Sequence, residues 1–181
     1  DSEEELKRYI NMCKGGYVDA AVFGYTKVFL EDINDLNKMN IPTIYAGHYR
    51  EEKGLFKNVL YLNLKDGCYN ATKYLIELGH KKIAFLGEVD ERYQGYKKAM
   101  MEYNLDFGNN YLLDMFYDWF EIGKEISKSP DRPTALVCYN DDIAIAVIQS
   151  LSRADIKIPE DMSVCGFDNI KISKKYNPPL T

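Results

Sequence analysis

The chain has 181 residues, of which 46% are hydrophobic and 28% charged, as in an ordinary globular protein with one good core or two small ones. Its formal net charge of −5 argues against binding of nucleic acid by this stretch alone, because such domains carry a basic face. No apolar run is long enough to span a bilayer, so no membrane partner is expected.

The cysteines indicate a reducing compartment. None of the four forms a CxxC pair, and each lies in an apolar helix or strand pattern. Free, buried thiols in a cytoplasmic protein are therefore favoured over disulfides or a zinc site. The residues are Cys13, Cys68, Cys138 and Cys165.

Helices and strands alternate along the chain. Helical spacing of apolar residues predicts helices near 6–13, 29–39, 66–78, 91–103, 119–127 and 141–153. Short apolar runs predict strands near 18–23, 41–45, 59–62, 83–86, 111–113, 135–138 and 162–167. Asp66 is the expected N-cap of the third helix, and Gly79 is its expected C-cap glycine. This alternation predicts an α/β fold with parallel sheets flanked by helices.

A polar stretch at 47–57 divides the pattern, and it reads as a loop between two lobes. The first lobe is placed at 1–60 and the second at 61–178. Two strands are too few for an independent sheet, so further chain is expected to complete the first lobe.

Several motifs lie in the order and spacing of one known family. They are 18–22 (VDAAV), 41–44 (IPTI), 75–87 (LIELGHKKIAFLG), 92–99 (RYQGYKKA), 140–144 (NDDIA), 158–164 (IPEDMSV), 166–168 (GFD) and 178–181 (PPLT). Each motif alone is weak, but together, in register over nearly the whole chain, they resemble the sugar-sensing domain of LacI/GalR transcriptional regulators.

The resemblance implies a two-lobed periplasmic-binding-protein-like fold that holds a small effector, a sugar or a sugar derivative, in a cleft between the lobes. It also implies a homodimer and a DNA-binding headpiece, absent from this chain, that reaches operator DNA. Residues 179–181 then begin the crossover back to the first lobe. No cofactor, metal or catalytic group is expected.

Arg92 and Asp168 are the first candidate ligand residues, because the matching family positions contact the effector. A planar guanidinium suits vicinal hydroxyls or a carboxylate of the effector, and a carboxylate after a strand can accept two sugar hydroxyls. The alternative for Arg92 is a solvated surface arginine. The alternative for Asp168 is the N-cap of a short helix that begins near Ile170.

Asn140 is assigned to the effector by the same resemblance, and Asp141 to structure, since one of the two should cap the following helix. Trp119 matches an aromatic that stacks on the effector, although a core position is equally open. Tyr25 and His48 follow strands of the first lobe and are expected to face the cleft. His80 has no partners at metal-ligand spacing and is expected to be structural.

Two other functional classes remain open. An extracytoplasmic solute-binding protein of a transporter shares the fold and the cleft, although the quoted motifs are closer to regulators. An enzyme is disfavoured, because the chain has no nucleophile elbow, no phosphate loop and no metal-ligand spacing.

Overall fold

The computed structural model describes residues 3–24, 30–47, 58–108, 112–113 and 118–180. The chain divides into two compact units, Asp1–Asn63 and Leu64–Thr181. Each unit is a parallel sheet with helices, so the predicted fold class is confirmed. The assignment of 1–60, 61–178 and 179–181 to two lobes and a crossover stays a prediction. None of the helices in the described ranges has the length and apolarity that crossing a bilayer demands.

The first unit contains two helices and a three-stranded sheet, so the expectation of two strands in the first lobe was wrong. The third strand is the run predicted near 59–62, which pairs with this sheet. The helices are α1 (Glu3–Lys14) and α2 (Leu30–Lys38), and the strands are β1 (Ala21–Gly24), β2 (Thr43–Gly47) and β3 (Asn58–Tyr61). The strands are parallel in the order β1-β2-β3. An ion pair of 2.8 Å between Lys14 Nζ and Asp35 Oδ2 joins the two helices. The core of this unit consists of Leu6, Ile10, Cys13, Phe23, Ile33, Leu36 and Tyr45.

The second unit is a four-stranded parallel sheet in the order β5-β4-β6-β7. Its strands are β4 (Ile83–Leu86), β5 (Leu112–Leu113), β6 (Ala135–Cys138) and β7 (Ser163–Cys165). Its helices are α3 (Leu64–Glu77), α4 (Glu91–Glu102), α5 (Ile122–Lys128) and α6 (Asp141–Arg153). Asp66 lies inside the first turn of α3, so its prediction as the N-cap was wrong. Gly79 follows α3 with φ of +98°, as a C-cap glycine does.

The central strands of the second unit, β4 and β6, are buried on both faces. Successive side chains of a strand point to opposite sides, so each face contributes to its own core cluster. Ile83 and Phe85 pack in a cluster with Cys68 of α3 and Tyr96 of α4. The intervening residues of the same strand, Ala84 and Leu86, pack in a second cluster with α5 and α6. All strand residues of β4 and β6 are buried. The continuous apolar runs at 83–86 and 135–138 follow from this two-sided burial.

His80 ties together the starts of three strands. Its Nδ1 lies 2.9 Å from the Thr134 hydroxyl before β6, and its Nε2 lies 3.0 Å from the Ser163 hydroxyl in β7. Partial burial lowers the pKa of the imidazole from its ordinary 6.5. The expected structural role of His80 agrees with these contacts. The four cysteines are buried thiols outside any disulfide, as predicted.

Candidate functional site

The carboxyl ends of β4 and β6 form a topological switch point of the second sheet. The chain leaves β4 through α4 toward β5, and it leaves β6 through α6 toward β7, on the other side. The two helices cover opposite faces of the sheet, because α4 packs in one core cluster and α6 in the other. Ligands of open α/β sheets bind in the crevice outside such a point. The loops after β4, β6 and β7 therefore form the candidate site.

Arg92 is fixed at the start of α4 by Asp90. The Asp90 carboxylate accepts the backbone N–H of Arg92 at 2.7 Å and so caps the helix. Its other oxygen accepts Nη1–H of Arg92 at 2.9 Å in an ion pair. The carboxylate thereby offsets the unfavourable effect of a cation at a helix N-terminus. Arg92 is only 5% exposed, so the alternative of a solvated surface arginine is excluded.

Two aromatic rings flank the Arg92 guanidinium. Its central carbon lies 3.9 Å from the centre of the Tyr139 ring, which follows β6. The same carbon lies 5.2 Å from the centre of the Phe167 ring, which follows β7. These are cation–π distances, and in a desolvated place such contacts contribute about 2 kcal/mol. The Arg92 Nε–H is buried without a hydrogen-bond acceptor in the described part of the chain.

Glycines make room for both rings. Gly87 has φ of +144°, and a Cβ at this position would clash with Cβ of Tyr139. A Cβ on Gly67 of α3 would lie 2.9 Å from the Phe167 ring. Only glycine satisfies both the positive φ and the close approach at position 87. The turn after β4 is therefore shaped to accept Tyr139.

Asn140 and Asp141 have different structural roles at the start of α6. Asn140 is the N-cap, and its Oδ1 accepts the Ile143 N–H at 2.9 Å. Asp141 is 3% exposed, and its Oδ2 accepts the Ile170 N–H at 2.8 Å. The backbone N–H of Asp141 donates to the Phe167 carbonyl at 2.8 Å. Asp141 thus holds the loop after β7, as assigned, while Asn140 uses its oxygen for structure and keeps its amide group for other contacts.

Asp168 lies in the loop that Asp141 holds. It is exposed and has φ of +96°, a conformation that is uncommon for a residue other than glycine. Partial burial of its carboxyl raises the pKa, and the charges of Asp141 and Asp142 raise it further, while Arg92 lowers it. The alternative role as an N-cap is wrong, because Asp141, and not Asp168, accepts the Ile170 N–H.

Trp119 is half-buried and packs against the core cluster of α5 and α6, which matches the core alternative. Tyr25 and His48 lie outside the described residues, so their predicted roles stay predictions. Arg92, Asn140 and Asp168 therefore lie beyond the carboxyl ends of the strands of one sheet.

Three residues of the site were missed in the sequence: Asp90, Tyr139 and Phe167. Each lies in a loop that follows a strand, close in sequence to a candidate ligand residue. That proximity was the signal by which they could have been found. Across the described ranges, no group of three or more His, Cys, Asp or Glu side chains is arranged to hold a metal ion. The arrangement suits binding of a polar molecule through a cation, an amide and a carboxylate.

The model of the periplasmic binding protein-like domain family matches residues 72–181. The HTH-type transcriptional repressor PurR of Histophilus somni is 33% identical in an alignment 193 residues long, gaps included. The alignment covers 100% of this chain and 57% of that protein. The chain thus spans little more than half the length of this curated relative.

Solved structures agree with the fold. The regulatory protein of the LacI family from Chloroflexus aggregans superposes with a TM-score of 0.80 at 27% identity, over 99% of this chain and 68% of that one. The sugar-binding transcriptional regulator of the LacI family from Escherichia coli, complexed with phosphate, superposes with a TM-score of 0.77 at 26% identity, over 99% and 68% of the two chains. The chain therefore belongs to the periplasmic binding protein-like domain family and is an effector-binding domain of the LacI/GalR type.

Proposed function

We propose that this domain senses a small uncharged sugar or sugar derivative, held by Arg92, Asn140 and Asp168, and thereby controls a transcriptional regulator. The observation that carries the proposal is Arg92, a buried cation whose Nε–H has no acceptor among the described residues. A buried unsatisfied donor costs roughly 1–3 kcal/mol, and an effector oxygen would remove that cost. The sugar-binding LacI-family regulator of Escherichia coli supports this effector class.

The polar groups complement a polyol. Arg92 and the amide of Asn140 donate, and the exposed carboxylate of Asp168 accepts from hydroxyls. Helix caps hold the backbone at Arg92 and Asn140, and the Asp141 bond holds the loop that carries Asp168, so the three residues start from a preorganised backbone. Preorganisation lowers the entropy lost on binding.

The charge around Arg92 favours an uncharged effector. Asp90 already neutralises the guanidinium through their ion pair. The charges of Asp141 and Asp142 raise the pKa of Asp168, and the charge of Glu88 raises the pKa of Tyr139. Further carboxylates therefore lie near the candidate site. An added phosphate or carboxylate would therefore bring further negative charge close to these carboxylates, in an environment where screening by water is reduced. Neutral sugars are expected to bind more tightly than their phosphates.

The proposal for the whole protein follows the relatives. It is a cytoplasmic homodimer whose headpiece, outside this chain, binds operator DNA, and the PurR protein of Histophilus somni is named as a repressor of the HTH type. The effector shifts the equilibrium between conformations that differ in DNA affinity, by as much as its affinity for them differs. Both regulators and repressors among the relatives favour this role over transport or catalysis.

Thermal melting with a panel of compounds tests the proposal. The panel pairs neutral sugars with their phosphates and includes nucleosides and nucleobases, and the protein is used in its full natural length. At least one neutral sugar is expected to raise the melting temperature, and its phosphate to raise it less. If nucleobases raise the melting temperature and sugars do not, the effector is a nucleobase and not a sugar. A larger shift with the phosphate would refute the argument from charge.

A further inference from the structure

Tyr139 covers the cation of the candidate site. We propose that the Tyr139 side chain controls access to Arg92: its ring lies over the guanidinium and must turn aside before a solute reaches it. The inference rests on the proposed function of the site and adds a residue that controls entry to it.

The coverage is visible in three facts. The Tyr139 ring centre lies 3.9 Å from the central guanidinium carbon, which is direct contact. Arg92 is 5% exposed although it stands at the start of a helix after a loop. Its Nε–H is buried and lacks an acceptor within the described chain. A ligand that accepts from this N–H must therefore first displace part of the cover.

The Tyr139 side chain is the part that can move. The backbone N–H of Tyr139 donates to the Leu86 carbonyl at 2.8 Å, and Gly87 packs against its Cβ. Arg92 is held by the helix cap and the ion pair with Asp90. The ring itself is only partly buried, although it packs against both core clusters. Turning it aside gives up the cation–π contact of about 2 kcal/mol, and the contacts that a solute makes with Arg92 offset this loss.

A solute that takes the place of the ring must satisfy Arg92. It supplies an acceptor for the Nε–H, which has none within the described chain. Hydroxyl oxygens of a sugar can accept this bond, in agreement with the proposed effector class.

The test measures access to Arg92 without any effector. Phenylglyoxal, a reagent for arginine, is applied to the full-length natural protein, and the modification rate of each arginine is followed by peptide mass spectrometry. Arg8 and Arg153 are exposed and serve as internal references. The variants are Tyr139→Ala, which removes the ring, and Tyr139→Phe, which keeps it. The buried thiols of Cys68 and Cys138 report folding through their resistance to iodoacetamide.

In the wild-type protein, Arg92 is expected to react several-fold more slowly than Arg8 and Arg153. Tyr139→Ala is expected to raise the rate at Arg92 several-fold with the cysteines still protected, and Tyr139→Phe to keep the wild-type rate. A wild-type Arg92 that reacts as fast as Arg8 overturns the proposal. So does a folded Tyr139→Ala protein in which Arg92 stays protected, or a Phe variant as reactive as the Ala variant.

If the Ala variant fails to fold, the rates at Arg92 in the wild-type protein and in the Phe variant still test whether the ring shields Arg92. The proposed function fails separately: if no compound of the sugar and nucleoside panel binds, these rates still show whether Tyr139 covers Arg92.

Discussion

Asp141 Oδ2 accepts a hydrogen bond of 2.8 Å from the backbone N–H of Ile170. This bond joins the start of α6 to the loop that carries Asp168, and it is buried on the Asp141 side. The geometry of the candidate site therefore depends on a residue that does not itself need to touch the effector. The same carboxylate also raises the pKa of Asp168.

Replacement of Asp141 by alanine is expected to lower the free energy of unfolding by about 2 kcal/mol, because a buried hydrogen bond to a charged group is lost. Asp142→Ala is the matched control, since it also removes an acid from the first turn of α6, at an exposed position. Urea unfolding of both variants measures the difference. Equal losses would mean that only the helix dipole, and not the loop contact, is at work.

Asn140 is expected to combine a cap with an effector contact, and two substitutions separate them. Asn140→Ala should cost about 1 kcal/mol of stability, whereas Asn140→Ser should cost little, because serine also caps helices. Both variants lose the amide donor, so both should bind the effector more weakly. Chemical unfolding and calorimetric titration check the two parts. Full effector affinity in the Ser variant would leave Asn140 with the cap alone.

The contact between α3 and α4 is expected to tolerate no side chain at position 95. A Cβ on Gly95 would clash with the Lys65 carbonyl and would lie 2.8 Å from the Tyr69 nitrogen. Gly95→Ala should therefore lower the free energy of unfolding by about 1–3 kcal/mol, despite the better helix propensity of alanine. Gln94→Ala, at the exposed neighbouring position of α4, is the control and should be nearly neutral. A stabilised Gly95→Ala protein would contradict the observed packing.

Stability is expected to fall as the solution is acidified below pH 6.5, the ordinary pKa of histidine. Burial lowers the pKa of His80 in the folded protein, so between the two values the unfolded chain binds more protons than the folded one. The contribution of neutral His80 is thus complete above pH 6.5 and declines below it. His80→Gln should flatten this part of the pH profile of unfolding. An unchanged slope would show that other groups cause it.

Much of the second unit was predictable because its central strands, β4 and β6, are buried on both faces. The bounds of β4 and β6 agree with the apolar runs at 83–86 and 135–138, and α6 agrees with 141–153. The strand predicted at 162–167 is shorter, since β7 ends at Cys165 and Phe167 turns toward Arg92. An apolar run shows burial, but it does not show where pairing between strands stops.

The site was predictable only in part. The family resemblance predicted Arg92, Asn140 and Asp168 as ligand residues. The apolar runs predicted the strands that these residues follow. Tyr139 was missed because an aromatic residue after an apolar strand reads as core, and only the distance to Arg92 gives it another role. Trp119 was uncertain for the same reason, and it packs against the core.

The most direct test of the central claim is calorimetric titration of the best compound from the melting panel, with the full-length natural protein and two arginine variants. Arg92→Lys keeps the charge but loses the planar donor, and Arg153→Ala removes an exposed arginine far along α6 as a control. We expect Arg92→Lys to weaken binding by about tenfold or more, equivalent to 1.4 kcal/mol, and Arg153→Ala to leave it unchanged. Equal affinity of the wild-type and Arg92→Lys proteins would contradict the assignment of this site.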